Sequence, residues 1–164
     1  MKRFVVTSTS LVYGPHGSRL VDEVAPCAPV DTYALSTLAA ERFLLAMEGL
    51  DARVLRLPFV YGDGDAHIAE AVPMMRGFPP GQRMSIGHHA DVALAVALLL
   101  DAPSPAHRIY NVTDDDAPDL ATLFASVGDP PPDGSNAERA RARLGRSPVP
   151  DAHPPKSIDV TRVG

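Results

Sequence analysis

The sequence predicts an α/β fold with parallel strands, and three observations carry that expectation. A β-branched run, Phe4-Val5-Val6, ends in four hydroxyl residues, Thr7 to Ser10. A helical stretch opens at Asp31-Thr32-Tyr33, and a second strand-like run follows at Ala52-Arg53-Val54-Leu55-Arg56-Leu57. Strand, long helix and strand form a βαβ unit, which requires parallel strands and a right-handed crossover. Hydrophobic residues make up 45% of the 164, enough for a core and too many for a disordered chain.

Taken in order, the first strand closes at Val12-Tyr13-Gly14-Pro15, and a loop bearing Pro and Gly runs on to Pro29. Asp31 or Thr32 can cap the amides that open the next helix, which should reach about Glu48. Its stripe of Ala40, Phe43, Leu44 and Met47 has the spacing of a buried face, and Gly49 stands where a C-terminal cap belongs. Pro58 stops the second strand. A helix is expected over residues 66–75, a short strand over 83–86, and an apolar helix over 92–100 opened by His89 or Asp91. Arg108 to Val112 reads as a strand, and Pro118 to Val127 as a helix with Gly128 just past its end. Residues 1–128 thus make one domain. Residues 129–164 read as a Pro-rich extension, with one short helix over 136–144 and a loosely held tail.

Composition narrows the function. Aromatics are 5% with no Trp, so the core rests on Leu, Val, Ala and Met. A net charge of −5 argues against general nucleic-acid binding and against a polybasic membrane contact. Cys27 is the lone cysteine, so there is neither a disulfide framework nor a paired metal site. Met1-Lys2-Arg3 leads straight into a strand, so no signal peptide is expected, and the run Val92 to Leu100 is too short to span a bilayer. These features predict a cytoplasmic protein.

Several residues carry chemistry or only structure, depending on their setting. Tyr33 and Thr37 lie one helical turn apart and face the same way. Tyr33 alone on a helix reads as a half-buried packing residue, and Thr9 among its hydroxyl neighbours as a turn former. His88 and His89 with His67, Asp63 and Asp65 fit no standard metal template, so helix capping is the expectation there and no metal is predicted. Asp114-Asp115-Asp116 reads as a solvated N-cap for the following helix, and Arg139, Arg141, Arg143 and Arg146 as a solvated basic face.

Six segments together resemble one family. Tyr33-Ala34-Leu35-Ser36-Thr37-Leu38-Ala39-Ala40-Glu41-Arg42 is similar to the Tyr-x-x-x-Lys helix of the extended short-chain dehydrogenase/reductase superfamily, its NAD(P)-dependent epimerase/dehydratase branch. Phe4 to Gly14 resembles that family's strand, Ser/Thr-rich catalytic loop and Val-Tyr-Gly turn. Val54 to Asp65 resembles its Leu-Arg-x-x-x-Val-Tyr-Gly-Pro-Gly segment. His88-His89-Ala90-Asp91-Val92-Ala93 and Ile109-Tyr110-Asn111-Val112 resemble its His-Val-Asp-Asp-Val-Ala and Tyr-Asn-Val segments. Ser135 to Pro148 resembles the final helix and turn, so the likeness runs in family order from about Lys2 to Pro148.

The resemblance implies roles. Tyr33 would be the proton donor or acceptor, Thr9 the hydroxyl bonded to the substrate oxygen, and Thr37 would stand at the catalytic lysine's position. Thr7, Ser8, Pro58, Phe59 and Val60 would face the NAD or NADP cofactor, and Ser10 and His88 a small-molecule substrate, a sugar nucleotide or another carbonyl or hydroxyl compound. His88 and Asp91 would order the floor of the site. Hydride transfer at a carbinol carbon needs a coupled proton on its oxygen, which a phenol in a dry pocket supplies.

Two departures qualify that reading. Thr37 has a hydroxyl but no charge, so the activity is expected to be impaired. The Gly-x-x-Gly-x-x-Gly turn that seats a pyrophosphate on a helix N-terminus is missing, and Gly62-Asp63-Gly64-Asp65 carries acids that would repel phosphate. The expectation is therefore an incomplete Rossmann-like parallel sheet with flanking helices, lacking its N-terminal nucleotide-binding half. Such a chain binds dinucleotide weakly or not at all. A separate chain carrying the first half, or self-association through the exposed edge strand near Phe4, would complete it. A non-catalytic remnant that binds a small molecule or another subunit is the alternative.

Overall fold

The β-branched opening of the chain forms β1, Lys2–Thr9, and its hydroxyl-rich end turns into a 3-10 segment, Ser10–Tyr13. The structure is a computed structural model and describes residues 2–16, 19–79 and 81–128. The extension 129–164, with the helix expected at 136–144, the arginines Arg139 to Arg146 and the family-like segment Ser135 to Pro148, lies outside the described residues, as does Gly17.

Helix α1, Thr32–Ala46, starts where Asp31 accepts a hydrogen bond from the amide of Ala34 at 2.8 Å. It leads through Gly49, whose φ of +76° only glycine adopts freely, into β2, Leu50–Leu57. β1 and β2 pair in parallel from Lys2 opposite Leu50 to Thr9 opposite Leu57, so the expected βαβ unit is present. β5, Ile109–Asn111, joins the other edge of β2 in parallel, giving the order β1-β2-β5. β1 is therefore an edge strand, with Phe4 45% exposed.

Beyond Pro58 the chain forms a second sheet. β3, Phe59–Tyr61, pairs in parallel with β4, Ile86–His88. The strand expected over 83–86 is shifted: Arg83 makes only an isolated bridge to Asp119, and pairing begins at Ile86. Between them runs α2, His67–Met75, and after β5 comes α4, Leu120–Ser126, capped by Asp119 accepting from the amide of Thr122. Phe124, Leu120, Met75, Val72 and Ile86 pack into one core between these helices and the small sheet. Helix α3, His89–Asp101, lies against β1 and β2, with Leu99 closing a separate core on Leu55 and Val112. Its C-terminal carbonyls are met by Arg3, which donates to Leu99 O at 2.8 Å and to Ala102 O while Nε bonds Asp51 at 2.7 Å.

Two expectations need correction. The stripe Ala40, Phe43, Leu44 and Met47 is not the buried face of α1, because Phe43 is 69% and Met47 43% exposed. The helix turns in Ala34, Leu38 and Glu41 instead, because Glu41 finds an ion partner beneath the sheet end. The acidic run does not cap the following helix either. Asp119 does that, and Asp114 instead binds Tyr61 and His88.

Candidate functional site

In a parallel βαβ unit the crossover helix runs opposite to the strands, so its N-terminus sits at their C-terminal ends. Thr9 and Leu57 stand opposite one another at that end of β1 and β2, and Tyr33 lies in the first turn of α1 beside it. The fold thus brings Thr9, Tyr33 and Pro58 to one end of the main sheet.

Thr9 is buried, and its Oγ1 accepts the amide of Leu11 at 3.2 Å. That bond uses the oxygen and leaves the hydroxyl hydrogen free to be donated. Ser10 begins the 3-10 turn and is half-buried, whereas Thr7 is exposed. Tyr33 presents its side chain outward at 61% exposure, so its phenol is accessible and does not pack in the core. Thr37 lies a turn further along, and its hydroxyl donates to the Tyr33 carbonyl at 2.8 Å, as does that of Ser36. A threonine bonded back to its own helix holds no charge next to Tyr33.

Ser8 is not turned toward open space. Its hydroxyl donates to Glu41, in a buried cluster that residue-by-residue reading of the sequence did not single out. Glu41 and Arg56 are 2% and 3% exposed and form a forked pair: Nη2 donates to Oε2 at 2.7 Å and Nε to Oε1 at 3.1 Å. Burial alone would push the Arg56 guanidinium down, but Glu41 and Tyr13 together outweigh it and hold it above its ordinary value. The Arg56 guanidinium carbon lies 4.8 Å from the centroid of the Tyr13 ring, and the Tyr13 hydroxyl donates to Asn111 Oδ1 at 2.7 Å. Burial pushes the Tyr13 phenol up against the opposing pull of Arg56. Glu23, from the loop before α1, accepts the amide of Asn111 at 2.8 Å and straps that loop to the edge of β5. The sequence signal was weak, because Glu41 stands beside Arg42 on α1 and Arg56 shares β2 with Asp51 and Arg53, so neither is a lone charge in an apolar run.

Phe59 and Val60 are strand residues of β3, and the Phe59 ring stacks on His67 with centroids 4.3 Å apart. Pro58 comes close to Gly87, where an added Cβ would lie 3.2 Å from Pro58 Cγ. His88 caps α3, its Nδ1 accepting from the amide of Ala90 at 3.3 Å, so the helix opens one residue before the earlier of the two expected caps, His89 and Asp91. Tyr61 donates to Asp114 at 2.8 Å, which raises its phenol to about 12 because the neighbouring carboxylate opposes ionisation. This second polar group belongs to the ends of β3 and β4, in the smaller sheet. Among the described residues no group of three or more His, Cys, Asp or Glu is placed to hold a metal, and no helix is long and apolar enough to cross a membrane.

Against known proteins, the model of the NAD dependent epimerase/dehydratase family matches residues 1–113. No curated protein matches. Solved structures do. A functionally unknown conserved protein from Silicibacter pomeroyi is 25% identical with a TM-score of 0.64, over 89% of this chain and 61% of that one. A protein described as an NAD-dependent epimerase/dehydratase, from Methylobacillus flagellatus, is 23% identical with a TM-score of 0.63, over 99% and 56%. UDP-glucuronic acid 4-epimerase from Bacillus cereus, solved with NAD, is 18% identical with a TM-score of 0.64, over 91% and 57%. The chain spans between 56% and 61% of the length of these structures.

Proposed function

Because the chain belongs to the NAD dependent epimerase/dehydratase family, we propose that it builds the substrate side of an NAD(P)-dependent epimerase or dehydratase acting on a sugar nucleotide or a related hydroxyl compound. The observation that carries this reading is the convergence of Thr9 and an accessible Tyr33 at the C-terminal end of β1 and β2. Thr9, with its oxygen engaged by Leu11, donates its hydroxyl hydrogen to a substrate oxygen and so orients the carbinol carbon. As its phenolate Tyr33 takes up the substrate hydroxyl proton while the carbinol is oxidised, and as the phenol so formed it returns that proton in the reverse direction.

The residues present fit only one end of the dinucleotide. Bound nicotinamide would supply hydride acceptance at the carbinol carbon. Pro58 at the end of β2 would border it, with Thr7 and Val60 flanking, whereas the Phe59 ring and the Ser8 hydroxyl are engaged elsewhere. No glycine-rich turn in the sequence has the spacing to cradle a pyrophosphate. The proposal therefore assigns the adenosine half of the site to another segment or chain, docked along the free edge of β1. Thr37 supplies no cation, so turnover is expected to be slow.

Reduced nicotinamide mononucleotide, which carries only the half these residues fit, tests the reading. Titrated against the protein and followed by NMR, it should shift the Thr9 methyl and Tyr33 ring signals with a dissociation constant on the order of millimolar. NADH should bind no more tightly. Unmoved Thr9 and Tyr33 signals at saturating ligand, or micromolar binding of NADH, would overturn it.

A further inference from the structure

Three separate stretches of chain carry the proposed site: the Thr9 end of β1, the Tyr33 helix, and the turn at Pro58. One carboxylate touches all three. Glu41 lies two helical turns beyond Tyr33 on the stripe that runs through Thr37, so it follows the rotation and height of that helix. It accepts the hydroxyl of Ser8, the residue before Thr9, and holds Arg56, two residues before Pro58, by a two-pronged fork. Through Arg56 it also fixes Tyr13, whose ring lies against the guanidinium at the end of the turn that Thr9 opens.

Stability does not explain why a charge sits there. A buried ion pair stabilises no more than well-packed apolar residues of similar volume. The helix leaves Phe43 and Met47 in solvent while turning Glu41 inward. What the pair adds is direction, because a fork fixes two distances and a plane, whereas apolar contacts leave the segments free to slide.

We propose that Glu41 is a positioning residue for the site: its carboxylate sets Thr9 relative to Tyr33 and to the turn at Pro58. The proposal rests on the reading of the site given above, but its test does not require catalysis. The informative variant is Glu41→Leu combined with Arg56→Met, which removes both buried charges and so keeps the protein folded. Its Thr9 methyl, Leu11 amide and Tyr33 ring signals should move together relative to the parent, and affinity for reduced nicotinamide mononucleotide should fall about tenfold or more. Leu123→Ala, which loosens the core around Phe124 without touching the cluster, should leave those signals in place. Should the double variant not fold, Glu41→Asp, which keeps the charge opposite Arg56 but draws the carboxylate back by one methylene and so breaks the fork, takes its place with the same expectation. A folded variant with unmoved Thr9, Leu11 and Tyr33 signals, or an equal movement in Leu123→Ala, would show the pair to be merely structural. If the mononucleotide fails to bind the parent, the functional reading falls, and the signals of the ligand-free proteins still decide the positioning role.

Discussion

Removing the Glu41 carboxylate alone should come close to unfolding the protein. In Glu41→Leu the Arg56 guanidinium, 3% exposed, keeps its charge and loses both prongs of the fork, and Ser8 loses its acceptor. An uncompensated buried charge costs about 3–5 kcal/mol, against a typical domain stability of about 5–15 kcal/mol. With a urea dependence of about 1–3 kcal/mol per molar, the unfolding midpoint should drop by roughly 1–5 M. Arg56→Met in the same chain should recover most of that loss. It should not recover quite all, because the contact of the guanidinium with Tyr13 disappears and is worth about 0.5–2 kcal/mol. Urea denaturation of the parent, both single variants and the double variant closes the cycle, which isolates the coupling between the two residues. A loss below about 1 kcal/mol in Glu41→Leu would mean that water reaches the guanidinium, and a double variant no better than the single one would mean that charge is not the cause.

Other consequences are as direct. Gly14→Ala should destabilise by about 2 kcal/mol or more in thermal or urea unfolding, because φ is +68° and the new Cβ would lie 1.9 Å from the backbone oxygen of Ala28, which cannot swing aside. Tyr61, raised to about 12 by Asp114, binds its proton more tightly folded than unfolded, so its contribution is complete below about pH 10 and is lost as pH rises through about 12. Tyr61→Phe should flatten that alkaline limb in a pH series of melting temperatures, and an unchanged limb would dissociate Tyr61 from it. The free edge of β1 should drive self-association, visible as a rising sedimentation coefficient over a tenfold range of concentration. Phe4→Lys on that edge should suppress it, and a parent monodisperse throughout would rule it out.

The sequence by itself determined the elements that local rules govern. The run at Phe4, the cap at Asp31, the stop at Pro58 and the helix between them specify a parallel βαβ unit, because strand period, capping and φ restriction are all written in adjacent residues. The order of the family-like segments likewise named Thr9 and Tyr33, and the parallel register then places them at one end of the sheet. Where tertiary choice decided, the local pattern misled. Phe43 and Met47 have the spacing of a core stripe, yet the helix rotates to bury Glu41, because the partner that makes this favourable, Arg56, lies 15 residues away in the following strand. Asp114 looked like a cap and became the acceptor for Tyr61, 53 residues distant, while Asp119 took the cap. Whether a charge points in or out depends on a counter-charge across the fold, and no window of neighbouring residues contains that information.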